Sequence, residues 1–192
     1  YANSPDVVTR FFQCFSGLDV NFVGEIFVSS LSLKTEQRQI SRTIARLPKG
    51  CFLDNELTVL DNLILFGIYF GLRRRAASLK ARGLCRKFGF EKIEQRFPQE
   101  LERGKQKEVY FVRGLMSEPR IVFMQEPSDS LNAEETQSLL WLIQRIRDFQ
   151  ASIVCFSQRQ EFLKTFCPKV YNLITQKTIT HTFGAVNVRS LG

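Results

Sequence analysis

An α/β fold, built on a mostly parallel sheet with a helical subdomain inserted into it, is what this sequence of 192 residues predicts. Two local patterns and one global property carry the prediction. Residues 120–156 read as strand, helix, strand at the spacing of a βαβ unit, which requires parallel strands. Residues 58–115 read as a block of helices set between two parts of that sheet. The composition, 44% hydrophobic and 24% charged, suits one domain with an ordinary core and excludes general disorder.

Taken in chain order, Val8–Phe15 reads as a helix and Gly24–Val28 as a turn into a strand. Thr58 to about Phe70 and Ala76 to about Phe88 read as helices. Phe97-Pro98 interrupts them, and a third helix is expected from about Gly104 to Leu115. Arg120–Met124 is an apolar run between Pro119 and Pro127, with the length and flanks of a strand buried on both faces. Asn132 followed by Glu134 and Glu135 marks a helix start, with a cap and acids in the first turn. Leu139, Ile143 and Ile146 then recur on one buried face. Ser152–Phe156 reads as a second buried strand. A helix carrying Phe162 and Phe166 follows, then strands at Val170–Ile174 and Thr178–Phe183 joined by a tight turn at Gln176-Lys177.

Several function classes are excluded early. The longest uncharged apolar stretch, Leu63–Leu72, has ten residues, half of the about 20 that a membrane-spanning helix needs. Tyr1–Leu18 lacks the basic start and apolar run of a signal peptide. The five cysteines are scattered, none in a C-x-x-C pair, and His181 is the single histidine. Zinc ligands at usable spacing are therefore missing, and the cysteines are expected to be buried thiols. The net charge of +8 is concentrated at 73–96, where nine basic residues face two acidic ones, a net +7. Such a field attracts phosphates or anionic lipid headgroups; a solvated helical face has the same composition.

The order of these pieces resembles the nucleotide-binding domain of ABC transporters over about residues 2–183. Ser16-Gly17-Leu18 and Gly24-Glu25-Ile26 are similar to that family's helix end and the strand beyond it. Leu57–Leu63 resembles the opening of its helical subdomain. Leu101-Glu102-Arg103-Gly104-Lys105 falls where the LSGGQ signature belongs. Ile121–Pro127 resembles the Walker B strand, Ser128–Asn132 the D-loop, and Phe156-Ser157-Gln158 the end of the switch strand. The resemblance implies a P-loop NTPase-like core over 1–56 and 117–192 and a helical subdomain over 57–116. It also implies ATP and Mg²⁺ as cofactors of active members, and strands ahead of the phosphate loop that these 192 residues do not include.

Set against that pattern, the residues that would touch nucleotide are altered. A phosphate loop cradles anions with backbone N–H groups, and glycines permit its curvature. Ala2–Thr9, the stretch expected to form it, has no glycine. Pro5 removes a donor and Asp6 adds a negative charge. Val8 stands where the phosphate-binding lysine belongs, and Thr9 alone fits, as the Mg²⁺ hydroxyl. Gln125 replaces the Walker B aspartate, while Glu126 is retained as a general base or a strand-end cap. Lys49 takes the position of the Q-loop glutamine. Gln158 replaces the switch histidine and has no titratable imidazole. In the signature, Glu102 takes the serine position; Arg103 and Lys105 offset its charge, and Gly104 remains.

Three functions follow. The first is a catalytically degenerate ABC domain, a structural or regulatory subunit of a membrane transport complex. It would lie on the cytoplasmic face, docked to a transmembrane subunit and paired with a second ABC domain, with Lys49 and Phe66–Phe70 as candidate contacts, although Phe66 and Phe70 themselves are expected to pack in the core. The second is an active ATPase whose phosphate loop lies elsewhere. The third is a basic nucleic-acid-binding module. Simultaneous loss at the loop, Walker B, Q-loop and switch favours the first, with no nucleic-acid partner expected.

Overall fold

A computed structural model describes residues 5–172 and 177–180 of the chain. The first helix, α1 (Pro5–Phe15), begins on a proline and carries Asp6 in its first turn, both suited to a helix start. It corrects the expected loop: residues 5–9 are helical, and Ala2–Ser4 lie outside the described residues. The helix stops at Gly17, whose φ of +72° suits glycine. A Cβ there would come within 2.9 Å of Leu33 Cδ2.

The predicted strand near Gly24 forms as β1 (Phe27–Val28), paired antiparallel with β2 (Leu31–Ser32) outside the main sheet. A short helix, α2 (Gln37–Ser41), then leads into β3 (Ile44–Leu47). The helices α3 (Val59–Tyr69), α4 (Arg74–Phe88) and α5 (Arg103–Gly114) follow. Thr58 caps α3 by accepting from the Asp61 N–H at 3.1 Å. The buried Asn62 is fully used: its Nδ2 donates to the carbonyls of Asp54, Leu57 and Thr58, and its Oδ1 accepts from the Asp54 N–H, as burial of an amide demands. Next come β4 (Ile121–Gln125), α6 (Ala133–Ile146), β5 (Ser152–Phe156) and α7 (Gln160–Phe166). The chain continues through β6 (Lys169–Asn172) and β7 (Lys177–Thr180), an antiparallel pair. The turn expected at Gln176-Lys177 falls partly outside the described residues, because Lys177 already opens β7 and Gln176 is not described; Ile174, Phe183 and His181 also lie outside them.

The main sheet has the order β3-β4-β5, all parallel, with Leu47 opposite Met124 and Met124 opposite Cys155. Alternate residues of β4 enter two cores, as the period-2 pleat requires. Val122 and Met124 join the larger core, with α3, α4, α5 and α6. Phe123 joins Phe12 of α1, Ile40 and Ile44 on the other face. Two expectations need correction. The strand β5 is half-buried rather than buried, since among the described residues it is paired only with β4. Phe70, expected in the core, is 37% exposed because it caps the end of α3. Cys14 and Cys85 are buried, whereas Cys51, Cys155 and Cys167 are half-buried.

Candidate functional site

Parallel strands present their C-terminal ends together, and sites in open α/β sheets form there. Lys49 follows β3, Gln125 ends β4 with Glu126 just beyond it, and Gln158 and Arg159 follow β5. With Thr9 from α1 and Asp129 from the loop after β4, they line one cleft. The fold thus brings together five residues singled out in the sequence: Thr9, Lys49, Gln125, Glu126 and Gln158. Val8 is separate, packed inward at 1% exposure.

The centre of the cleft is a single amide. Gln125 Nε2 donates to Thr9 Oγ1 at 2.8 Å, and Gln125 Oε1 accepts from the Lys49 N–H at 3.2 Å. One neutral side chain therefore ties α1, the segment after β3, and β4. Glu126 is engaged at both oxygens. Its Oε2 accepts from Ser157 Oγ at 2.6 Å and its Oε1 from the Gln158 N–H at 2.7 Å. Its own N–H donates to the Phe156 carbonyl at 2.8 Å. These bonds hold a left-handed backbone, φ +44°, a conformation costing about 1–3 kcal/mol in a residue with a side chain. Glu126 thereby clips the ends of β4 and β5 together.

Asp129 and Arg159 complete the rim. Lys49 Nζ lies 3.5 Å from Asp129 Oδ1. The buried Lys107 donates to the Asp129 carbonyl at 2.9 Å. Burial holds the Lys107 ammonium below its ordinary value, and the Asp129 carboxylate offsets part of that. Arg159 Nη1 donates to the Ser128 carbonyl at 3.1 Å. Asp129 lay within the stretch resembling the D-loop and Arg159 beside Gln158, so the motifs bracketed both without assigning them a role. Ser157 carried no signal beyond that adjacency.

The signature stretch lies apart from this cleft, at the start of α5. Leu101 is buried, while Glu102 and Arg103 are exposed. The Lys105 ammonium pairs with Glu108 at 2.6 Å. The Gly104 N–H is taken by Glu135 Oε1 at 2.9 Å, and Glu135 Oε2 accepts from the Asn132 N–H at 2.9 Å. One carboxylate thus bridges the starts of α5 and α6. Those bonds, from Asn132 and then Gly104, hold the Glu135 carboxyl below its ordinary range. Gly104 permits the approach, since a Cβ there would meet Glu135 Cγ at 2.7 Å.

The donor set does not fit a hydrated Mg²⁺. Such an ion needs octahedral oxygen ligands, several of them waters held by carboxylates. Here the hydroxyl is met by an amide N–H and the glutamate oxygens by protein donors. Among the described residues, no group of three or more His, Cys, Asp or Glu side chains is arranged to hold a metal.

No protein-family model matches the chain. Curated relatives do. It is 26% identical over 163 residues to the methionine import ATP-binding protein MetN of Clostridium tetani, covering 82% of this chain and 51% of that protein. It is 27% identical over 172 residues to the histidine transport ATP-binding protein HisP of Pseudomonas aeruginosa, covering 81% and 68%. A shorter match, 36% over 89 residues, is to a putative hemin import ATP-binding protein HrtA of Staphylococcus epidermidis, covering 46% of this chain and 40% of that one. The chain spans about half the length of the curated relatives it matches. An ATP-binding subunit of an ABC transporter superposes with a TM-score of 0.70 at 20% identity, over 88% of this chain and 70% of that one. An ATP-binding cassette, solved as a dimer in a post-hydrolysis state with ADP and phosphate, superposes with a TM-score of 0.66 at 19% identity, over 81% and 71%. The chain is a homologue of the ATP-binding subunits of ABC transporters, with the fold of an ABC ATPase domain.

Proposed function

We propose that the chain is an ABC domain that does not hydrolyse ATP and serves as a structural or regulatory subunit of a membrane transport complex. The observation carrying this is the Gln125 amide, hydrogen-bonded at once to the Thr9 hydroxyl and the Lys49 N–H. In the resemblance these are the Mg²⁺ hydroxyl, the Walker B acid and the Q-loop residue. Here they bind one another, so the group that should orient a metal is spent on internal bonds. Phosphoryl transfer depends on positioning and electrostatic stabilisation. Val8 supplies neither, and Glu126 has both oxygens engaged.

The partners in this reading are a transmembrane subunit and a second ABC domain, with the chain on the cytoplasmic face. Relatives named as import and transport ATP-binding proteins support that assembly. No helix among the described residues is long and apolar enough to cross a membrane. Calorimetry with MgATP tests the catalytic part: no binding heat is expected from the chain or from its Gln125→Asp variant. A dissociation constant in the low micromolar range would overturn it.

A further inference from the structure

We propose that Trp141, Arg145, Phe88, Phe149 and Lys87 form a clasp that holds the end of α4 on α6, making the helical block and the helix that leaves the cleft one mechanical unit. Trp141 and Arg145 lie one turn apart on α6. Lys87 and Phe88 close α4, and Phe149 lies in the turn after α6. The Arg145 guanidinium is 4.5 Å from the Trp141 ring and 5.6 Å from the Phe88 ring. Phe88 stacks on Phe149 at 5.8 Å with the ring planes 10° apart. The Lys87 ammonium lies 3.9 Å from the Phe149 ring. Rings and cations thus follow one another from α6 to the end of α4 and back.

Charge pairing does not hold Arg145 in this place. Among the described residues it forms no ion pair, and it approaches the segment 73–96, whose net charge is +7. Its polar partner is a carbonyl: Arg145 Nη2 donates to the Lys87 oxygen. That oxygen belongs to the last turn of α4, which stops at Gly89 with φ +73°. The last carbonyls of a helix have no intrahelical donor and carry the negative end of its dipole. A guanidinium from another helix meets both needs. The ring faces attract the same cation, which offsets repulsion from the basic side chains nearby. Trp141 is 48% exposed, so its ring serves as the outer cover of the guanidinium rather than as part of the core.

The two helices lead to different parts of the molecule. A Cβ at Gly67 would lie 3.2 Å from the Ala77 Cβ, so α4 packs closely on α3. The helix α6 begins four residues after Asp129, a wall of the cleft. The clasp closes this path at the end of α4, and none of its five residues lines the cleft. It therefore stands apart from the proposed function and holds whether or not a nucleotide binds.

Hydrogen exchange of the whole chain, read amide by amide, is the experiment. In Arg145→Gln the amides of residues 84–88 should exchange at least about tenfold faster. Those of β4 should keep their rate, because a released clasp opens one end of α4 and leaves the sheet closed. Trp141→Phe keeps a ring against the guanidinium and should exchange like the native chain, whereas Trp141→Ser should resemble Arg145→Gln. Both changes fall at a half-exposed position outside the core, which keeps the comparison open if Arg145→Gln fails to fold. Unchanged exchange in Arg145→Gln, equal acceleration in α4 and β4, or equal exchange in the phenylalanine and serine variants would each overturn the proposal. Binding heat with MgATP does not depend on these amides, so failure here leaves the calorimetric test of the proposed function standing.

Discussion

Gln125 carries a donor and an acceptor on one planar amide, and both are used against groups far away in the chain, Thr9 and Lys49. Replacing it with Leu would strand the Lys49 N–H and the Thr9 hydroxyl in a partly buried cleft. Leaving such groups unpaired costs about 1–3 kcal/mol. The expected result is a lower denaturant midpoint at unchanged slope. Glu126 makes a parallel case with a catalytic control. Its carboxylate is a clip for Ser157 and the Gln158 N–H, so Glu126→Ala should cost a similar amount of stability. Glu126→Gln should leave any background ATP turnover where it was, as phosphate release would reveal; a turnover abolished by that change would make Glu126 a working base. The place of Gln125 and Glu126 at the end of a strand was legible in the sequence, because both close the apolar run that folds as β4. Their partners were not. A side-chain amide reaching a residue on another element leaves no trace in local spacing.

At the scale of elements, the pieces legible beforehand were those with local punctuation. Thr58 caps α3, and Asn132 with Glu135 forms a reciprocal box at the start of α6, all of it within four residues. The strand β3 escaped because it has four residues and includes Arg46. That arginine is accommodated by bonds to the Ser16 carbonyl at the end of α1 and to Ser41 Oγ, which only the folded chain provides. Glu135 yields a prediction in pH. Its carboxyl lies below the ordinary 4.5 through the N–H groups of Asn132 and Gly104, so the ionised form is the one that folding favours. Its stabilisation is complete above the unfolded value and is lost as pH falls through the folded one. Glu135→Gln, which cannot titrate, should flatten the acid limb of a thermal-stability profile below the ordinary carboxyl value of 4.5. An unchanged limb would mean that the bridge between α5 and α6 contributes nothing. Gly67 makes the packing case. A Cβ there would meet Met116 Cε at 2.5 Å and Ala77 Cβ at 3.2 Å, so α3 and α4 touch through a glycine and an alanine. Gly67→Val should force them apart at a cost of about 1–3 kcal/mol, a fall of roughly 2–12 °C in melting temperature for a chain of this size.

For the whole molecule, the two cores and the polar cleft behave differently, and that contrast bears on function. Both faces of β4 are packed: Val122 and Met124 into one core, Phe123 into the other. Apolar positions thus fill both faces of the strand, while the cleft residues at its end bond one another. A nucleotide-binding fold draws part of its stability from its ligand by mass action. At a concentration one hundred times the dissociation constant, that linkage amounts to about 2.7 kcal/mol. For a chain of this length it would raise the melting temperature by roughly 5–11 °C. The proposed function requires this chain to forgo that contribution. Its melting temperature should be the same in buffer and in millimolar MgATP, with a shift of no more than about one degree. Magnesium chloride alone is the control, because an ion effect would move both samples together. A rise of several degrees specific to the nucleotide would mean that the folded state binds ATP despite the Gln125 bridge. A rise with ATP that survives removal of Mg²⁺ would point to the phosphates alone, held by the cations Lys49 and Arg159 at the rim. Either rise would overturn the reading of the cleft as a set of internal ties and return the domain to the nucleotide-responsive members of its fold.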